Sequence, residues 1–228
     1  MFYYELHQHT KPVSACAGSS PAETARGVKA DGFHGVVLTN HFYHGNTGVQ
    51  RSLPWADFVR AYEEDYLAAK AEGEKIGVDV LFGIEEGVGD GKEVLIYGIT
   101  PAVIAAHPEW RDGDLNTIAA IVHEAGGLVI HAHPFRTRSY INRPWEPIPA
   151  ACLDGYEVAN ACSEDIANQR TALTFEGTGA ILTAGSDAHS ANFPYSRRFG
   201  IAVEERITDE AQLAAVLRGG NYRILREK

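Results

Sequence analysis

Along the whole chain, short apolar runs alternate with longer stretches in which apolar residues recur every three or four positions. The first pattern reads as buried strand and the second as amphipathic helix. Tyr3 to Leu6 is the first strand. Pro21 to Ala30 reads as a helix, with Ser20 as N-cap and proline in the first turn, where its missing N–H costs nothing. Gly35 to Thr39 is a buried strand, and Trp55 to Lys75 is the longest helical stretch, charged on one face. Val78 to Ile84 and Glu93 to Gly98 follow as neighbouring strands. Leu115 to Ala125 is a helix stopped by Gly126-Gly127. Leu128 to Ala132 and Tyr156 to Val158 are strands, Ser163 to Glu176 a helix, and Ala180 to Ala184 and Ile201 to Glu204 strands. Thr208 caps a helix to Leu217, and Tyr222 to Leu225 is a short final strand.

This alternation predicts an α/β fold on a mainly parallel sheet, in one domain spanning residues 1–228. Two nucleotide-binding signatures are excluded. The glycines between Gly83 and Gly91 have the wrong spacing for GxGxxG and precede no helix, and GxxxxGK[ST] does not occur.

Composition narrows the class of partner. Twenty Lys and Arg against thirty Asp and Glu give a formal charge of -10. Stable binding to nucleic acid or an anionic membrane needs a basic footprint that this balance does not offer. The longest apolar runs, such as Ile118 to Val122, are far shorter than a membrane span. The first residues carry no basic segment followed by a long apolar one, so no secretory leader is expected. Cys16, Cys152 and Cys162 form no CxxC pair, which fits a reducing cytoplasm.

The histidines change the picture most. His7 and His9 follow the first strand, and Asn40 and His41 the second. Glu85 and Glu86 follow Val78 to Ile84, and His131 and His133 end the Leu128 strand. Glu157 and Asn160 accompany the Tyr156 strand, and Asp187 and His189 follow the Ala180 strand. Six strands thus deliver a metal-type ligand at or beyond their C-terminal ends, where α/β folds build their sites. Imidazole suits zinc, manganese and iron, and carboxylates can bridge two cations. Paired divalent ions activate water for displacement at phosphorus without a protein nucleophile, and no GxSxG is present.

Five ordered motifs carry a resemblance: His7-Gln8-His9-Thr10, Thr39-Asn40-His41, Gly83-Ile84-Glu85, Ala132-His133-Pro134-Phe135-Arg136 and Gly185-Ser186-Asp187-Ala188-His189. Together they resemble the PHP (polymerase and histidinol phosphatase) superfamily over residues 5–204. The resemblance implies a distorted, TIM-like (β/α) barrel of seven strands, a cluster of two or three metal ions, and hydrolysis of phosphoesters by a metal-bound hydroxide. By motif, His7, His9, Glu85 and Asp187 would hold one ion. Glu85 would bridge to a second with His133, and His41 and His189 would hold a third. His131, two residues before His133, is a further candidate ligand. The chain departs from the pattern at Ala15 and Asn40, where the family has aspartates, and at Leu95, where it commonly has histidine.

The expected cofactor is one to three divalent ions per chain, zinc, manganese or iron. The expected substrate is a small phosphorylated metabolite or nucleotide. Asp187, His189 and Arg136 are assigned to the chemistry, Arg136 as a phosphate clamp whose alternative is a surface salt bridge. Glu86 and Glu157 either orient ligand histidines or serve the surface and loops. Cys16 either coordinates a soft metal or is an ordinary buried cysteine. Arg197 and Arg198 are read as a solvated pair. Two other readings stay open: an amidohydrolase-like enzyme attacking a carbonyl, and a metal-binding module without catalysis.

Overall fold

The computed structural model describes residues 1–193 and 199–226; Arg197 and Arg198 lie outside them. In chain order the elements are β1 (Phe2–Gln8), α1 (Pro21–Ala30), β2 (Gly35–Leu38), α2 (Trp55–Ile76), β3 (Asp79–Phe82), β4 (Ile84–Gly87), β5 (Glu93–Tyr97) and α3 (Pro101–Ala105). There follow α4 (Leu115–Glu124), β6 (Leu128–His131), β7 (Gly155–Asn160), α5 (Asp165–Phe175), β8 (Ile181–Gly185), β9 (Phe199–Val203), α6 (Glu210–Gly219) and β10 (Arg223–Arg226). The capping logic read from the sequence is realised at α1. There Ser20 accepts from the Glu23 N–H while the Glu23 carboxylate accepts from the Ser20 N–H. At α6 the cap moves one residue, from Thr208 to Asp209, whose carboxylate accepts from the Gln212 N–H.

The α/β class stands, but the strands do not form one continuous sheet. Among the described residues they form two five-stranded sheets, ordered β10-β9-β1-β2-β3 and β4-β5-β6-β7-β8. Four pairings are parallel and four antiparallel, so the expected parallel dominance holds only within β1-β2-β3 and β6-β7-β8. The expected strand Val78 to Ile84 breaks at Gly83. A Cβ there would lie 2.7 Å from Val37 and 3.0 Å from Thr39. Only glycine lets the backbone turn this closely, so β3 ends in one sheet and β4 begins the other.

Helices α1 and α2 cover the outer face of β2 and β3, with Val28, Val36, Leu38, Ala69 and Val80 between them. Trp55, Phe58 and Tyr62 of α2 close on Phe42 beside Trp110. Each such side chain, fully withdrawn from water, contributes about 1.5–3 kcal/mol. A separate core joins Leu81, Leu95, Tyr97, Leu128 and Ile130 to Leu213 and Leu217 of α6. Among the described residues no helix is long and apolar enough to cross a membrane.

The two sheets are stitched together at two seams. At one, Gln8 bridges to Ala188, the Asp187 N–H donates to the His7 carbonyl at 2.8 Å and the His9 N–H to the Ala188 carbonyl at 3.0 Å. At the other, His41 bridges to Glu85, whose N–H donates to the Asn40 carbonyl at 3.1 Å. Both seams run through residues that the motifs single out, so the junction of the sheets and the candidate site are one region.

Candidate metal centre

Glu85 stands at the middle of this region, 1% exposed. Its Oε1 lies 3.1 Å from His7 Nε2 and 3.0 Å from His133 Nε2. Its Oε2 lies 3.3 Å from His9 Nε2 and 3.0 Å from His41 Nδ1. Asp187 Oδ1 completes the cluster at 3.6 Å from His7 Nε2 and 3.2 Å from His9 Nε2. Three groups bring their ligand atoms within 4.8 Å of one another: His7, His9, Glu85 and Asp187; His41, Glu85 and Glu93; and His9, His41 and His189.

The chemistry of these atoms favours a cation. His7 Nε2, His9 Nε2, His41 Nδ1 and Glu85 Oε2 are buried and none makes a hydrogen bond, despite the short separations. Buried polar atoms left this way are costly, and here several aim at common points. Hydrogen bonding on the far side of each ring explains the direction. His9 Nδ1 lies 3.0 Å from Ser14 Oγ, which itself donates to Asn40 Oδ1 at 2.8 Å and so receives the histidine's proton. His7 Nδ1 donates to Glu157 Oε1 at 2.9 Å. Both Nε2 lone pairs are thereby turned to the cluster.

Asn40 has a structural task. Its oxygen accepts from the Thr10 N–H at 2.7 Å as well as from Ser14, and its amide donates to Thr10 Oγ1 at 2.8 Å. An aspartate could not make the last bond. Glu157 also has two tasks, since its Oε2 accepts from the His133 N–H at 2.8 Å and from Asn160 Nδ2 at 3.0 Å. It therefore sets the direction of His7 and the placement of His133 together. Carboxylates in this role govern metal affinity. Glu157→Gln should weaken metal binding about 10–100-fold with little change in fold. Unchanged affinity by calorimetric titration would remove that role.

Two expected ligands sit in strained backbone. His133 has φ 32° and Asp187 φ 56°, conformations unfavourable for side chains other than glycine. Each costs about 1–3 kcal/mol, a strain typical of functional sites. The turn at His133 also separates it from His131. Leu128 and Ile130 face the core shared with α6, so His131 takes the opposite face of β6 and packs near Tyr156. The structure does not bring His131 to the cluster; burial instead pushes its pKa down to about 3, and the ring is neutral.

The Leu95 position is likewise explained. Leu95 is fully buried in the core, and Glu93, two residues earlier on the same face, brings a carboxylate to the cluster. Its carboxylate lies 3.3 Å from His41 Nδ1 and 3.5 Å from His133 Nε2. Glu86 is not part of the cluster. Its Oε2 accepts from Trp110 Nε1 at 2.8 Å, and its Oε1 from the His44 N–H at 2.7 Å. Arg136 is no surface residue: its side chain is 11% exposed and Nη1 donates to Asp187 Oδ2 at 2.8 Å. Cys16 is exposed, with Sγ 3.1 Å from His189 Nε2. Burial raises its pKa, but hydrogen bonds with His189 and His41 prevail and bring it down to about 5.

The charges respond to one another. Burial alone would neutralise Glu85 and Asp187, yet the surrounding histidines, joined at Asp187 by Arg136, hold both well below the usual carboxylate range. Burial and Arg136 lower His133, but Glu85 and Glu93 prevail and raise it from 6.5 to about 9. His7 and His41 are also held well above their ordinary value, burial being outweighed by the nearby carboxylates. In the ion-free protein these protons take the part of a cation. A raised histidine stabilises the ion-free fold fully below pH 6.5, and that contribution is lost as the pH passes about 9. A divalent ion must displace the protons, so binding should acidify a weakly buffered solution near pH 7.5, and affinity should climb as the pH rises towards about 9. An affinity independent of pH over that range would contradict the assignment.

A cavity of about 550 Å³ opens on the cluster. Cys16, His41, Glu85, Glu93, Asp187 and His189 line it, with Lys92, Arg136 and Tyr140 at its wall.

No protein-family model matches the chain, and no curated protein matches its sequence. Solved structures do resemble it in fold. A two-domain protein of Bacteroides vulgatus containing a predicted PHP-like metal-dependent phosphoesterase superposes with TM-score 0.69 at 14% identity, over 97% of this chain and 63% of that one. A candidate metal-dependent phosphoesterase of Bifidobacterium adolescentis gives TM-score 0.54 at 17% identity, over 94% of this chain and 95% of that one. An amidohydrolase of Chromobacterium violaceum, with sulfate bound and no metal, gives TM-score 0.57 at 19% identity, over 82% of this chain and 87% of that one. The chain thus shares its fold with structures described as PHP-like metal-dependent phosphoesterases and with an amidohydrolase.

Proposed function

We propose that the protein is a metal-dependent phosphoesterase acting on a small phosphorylated metabolite or nucleotide. The observation that carries this reading is the set of buried, hydrogen-bond-free nitrogen and oxygen atoms converging around Glu85, with a guanidinium beside them. The residues fit a cation. His7, His9, Glu85 and Asp187 would hold one ion, and Glu85, Glu93, His41 and His133 a second. Bound divalent ions would supply Lewis acidity and a water acidic enough to ionise near neutral pH.

The chain's own groups supply the rest. Arg136 is positioned to share its charge between Asp187 and an entering phosphoryl oxygen, and Lys92 adds a second cation at the wall. Glu157 and Ser14 keep the lone pairs of His7 and His9 pointing inward through the reaction. Burial of the cluster keeps bulk water from screening these charges.

Protein loaded with manganese or zinc should hydrolyse a generic aryl phosphate ester, and a His9→Ala variant should not. Arg136→Ala should lower kcat/KM on that substrate about a hundredfold, with Arg136→Lys restoring only part of the loss. The amidohydrolase among the structural neighbours keeps one rival in view. Turnover of cyclic amides with none of phosphate esters would establish that rival instead.

A further inference from the structure

The mouth of the cluster contains a group that the two positions above do not use. His189 Nε2 faces Cys16 Sγ at 3.1 Å, and both line the cavity with His41. The imidazoles of His9, His41 and His189 gather behind the sulfur, with ring centroids 4.3 Å apart for His9 and His189 and 4.5 Å for His9 and His41. His9 Nε2 is buried and without a hydrogen bond, and His9, His41 and His189 each bring a ligand atom within 4.8 Å of the others. The sulfur is not there by the wandering of a loose loop. The Ala15 N–H donates to the Asn46 carbonyl at 3.0 Å, and the Gly18 N–H to the His189 carbonyl at 2.7 Å. The turn carrying Cys16 is thus tied directly to the segment carrying His189.

We infer that Cys16 is a thiolate ligand to an ion at the mouth of the site, shared with His189 and a neighbouring histidine. The inference rests on the reading of the cluster as a metal centre. The choice of ligand has a consequence for the choice of ion. Sulfur with imidazole is a softer set than carboxylate with imidazole, and it selects zinc, iron(II) or cobalt(II) over manganese or magnesium. The buried position at His7, His9, Glu85 and Asp187 contains two carboxylates and lacks this bias. One chain would therefore present two positions of different preference within a single cavity.

Cobalt(II) tests this without reference to turnover. A cobalt–thiolate bond gives a charge-transfer absorption in the near ultraviolet, which imidazole and carboxylate ligands do not. The full-length chain titrated with cobalt should develop this absorption. Cys16→Ser should lose it, bind one cobalt fewer, and still bind cobalt at the buried position. Cys162→Ser should keep it, although Cys162 Sγ lies 3.4 Å from the Asp187 carbonyl. In the unaltered protein, zinc should slow alkylation of Cys16 by iodoacetamide at least tenfold, as followed by peptide mass, while manganese at equal concentration should not. No near-ultraviolet band at saturating cobalt, a band that survives Cys16→Ser, or equal alkylation with and without zinc would overturn the inference. A band present in a protein that hydrolyses no phosphoester would leave the sulfur ligand standing and remove the proposed activity. Failure to bind any ion would remove both.

Discussion

Glu85→Gln should reduce kcat/KM by about a thousandfold or more and lower the number of ions bound. Glutamine keeps the shape of the side chain and removes its charge. That charge is shared by four histidines, since His7, His9, His41 and His133 all lie within 3.3 Å of the carboxylate. Losing the group common to both ion positions removes several kcal/mol of stabilisation, and each tenfold in rate corresponds to about 1.4 kcal/mol. The backbone of residue 85 would still bridge to His41, so far-ultraviolet circular dichroism should be unchanged. Near-normal turnover with full metal content, read by elemental analysis, would show that Glu85 is not the centre of the site.

Trp110→Ala should destabilise the protein by about 3–5 kcal/mol, much of the stability of an ordinary domain. Trp110 is fully buried in a short 3-10 turn over Pro108–Asp112 and meets the ring of Phe42 edge-on at 5.7 Å. Truncation opens a large cavity in the core that α2 closes, and it removes the donor to the buried carboxylate of Glu86. Trp110→Phe separates these effects. It keeps most of the packing but removes the indole donor, leaving Glu86 Oε2 only the longer contact with His44 Nδ1 at 3.4 Å, which should cost about 1–3 kcal/mol. Urea unfolding of the two variants measures both terms. Equal loss in the two would mean that the hydrogen bond, not the volume, holds this region.

Most of the residues in the cluster could be read from the sequence, because β1, β2, β6 and β8 bring their C-terminal ends to the site with ligands at or just beyond them, and Glu85 stands just past the end of β3, across Gly83. The pattern that found them also explains what it missed. Strand β5 runs antiparallel to its neighbours, so it meets the site with its first residue, and Glu93 stands where a search of strand ends does not look. Counting two residues back from His133 places His131 at the site. That count holds along an extended strand, but the left-handed backbone at His133 ends the alternation. Asn40 and Ala15 read as lost ligands in isolation. The side-chain network around Thr10 and Ser14 gives Asn40 a structural use, and the sulfur of the next residue stands beside Ala15. The division into two sheets was hidden because nothing in the apolar run Val78 to Ile84 announces that Gly83 must turn the chain between them.

The hairpin that joins β4 to β5 sets a limit on what the chain can tolerate. Its turn, residues 88–92, passes through three consecutive positive-φ residues, Gly89, Asp90 and Gly91. It pairs Glu85 with Leu95 and Gly87 with Glu93 across the strands. Surface turns ordinarily accept insertions and deletions. Here a single residue gained or lost would shift β5 by one position and exchange its two faces. Glu93 would be driven among Ile84, Trp110 and Val129, and Val94 would be set against the histidines. The length of an exposed loop is thereby as constrained as the identity of a buried ligand, and variation in this turn should be confined to substitutions that preserve its count.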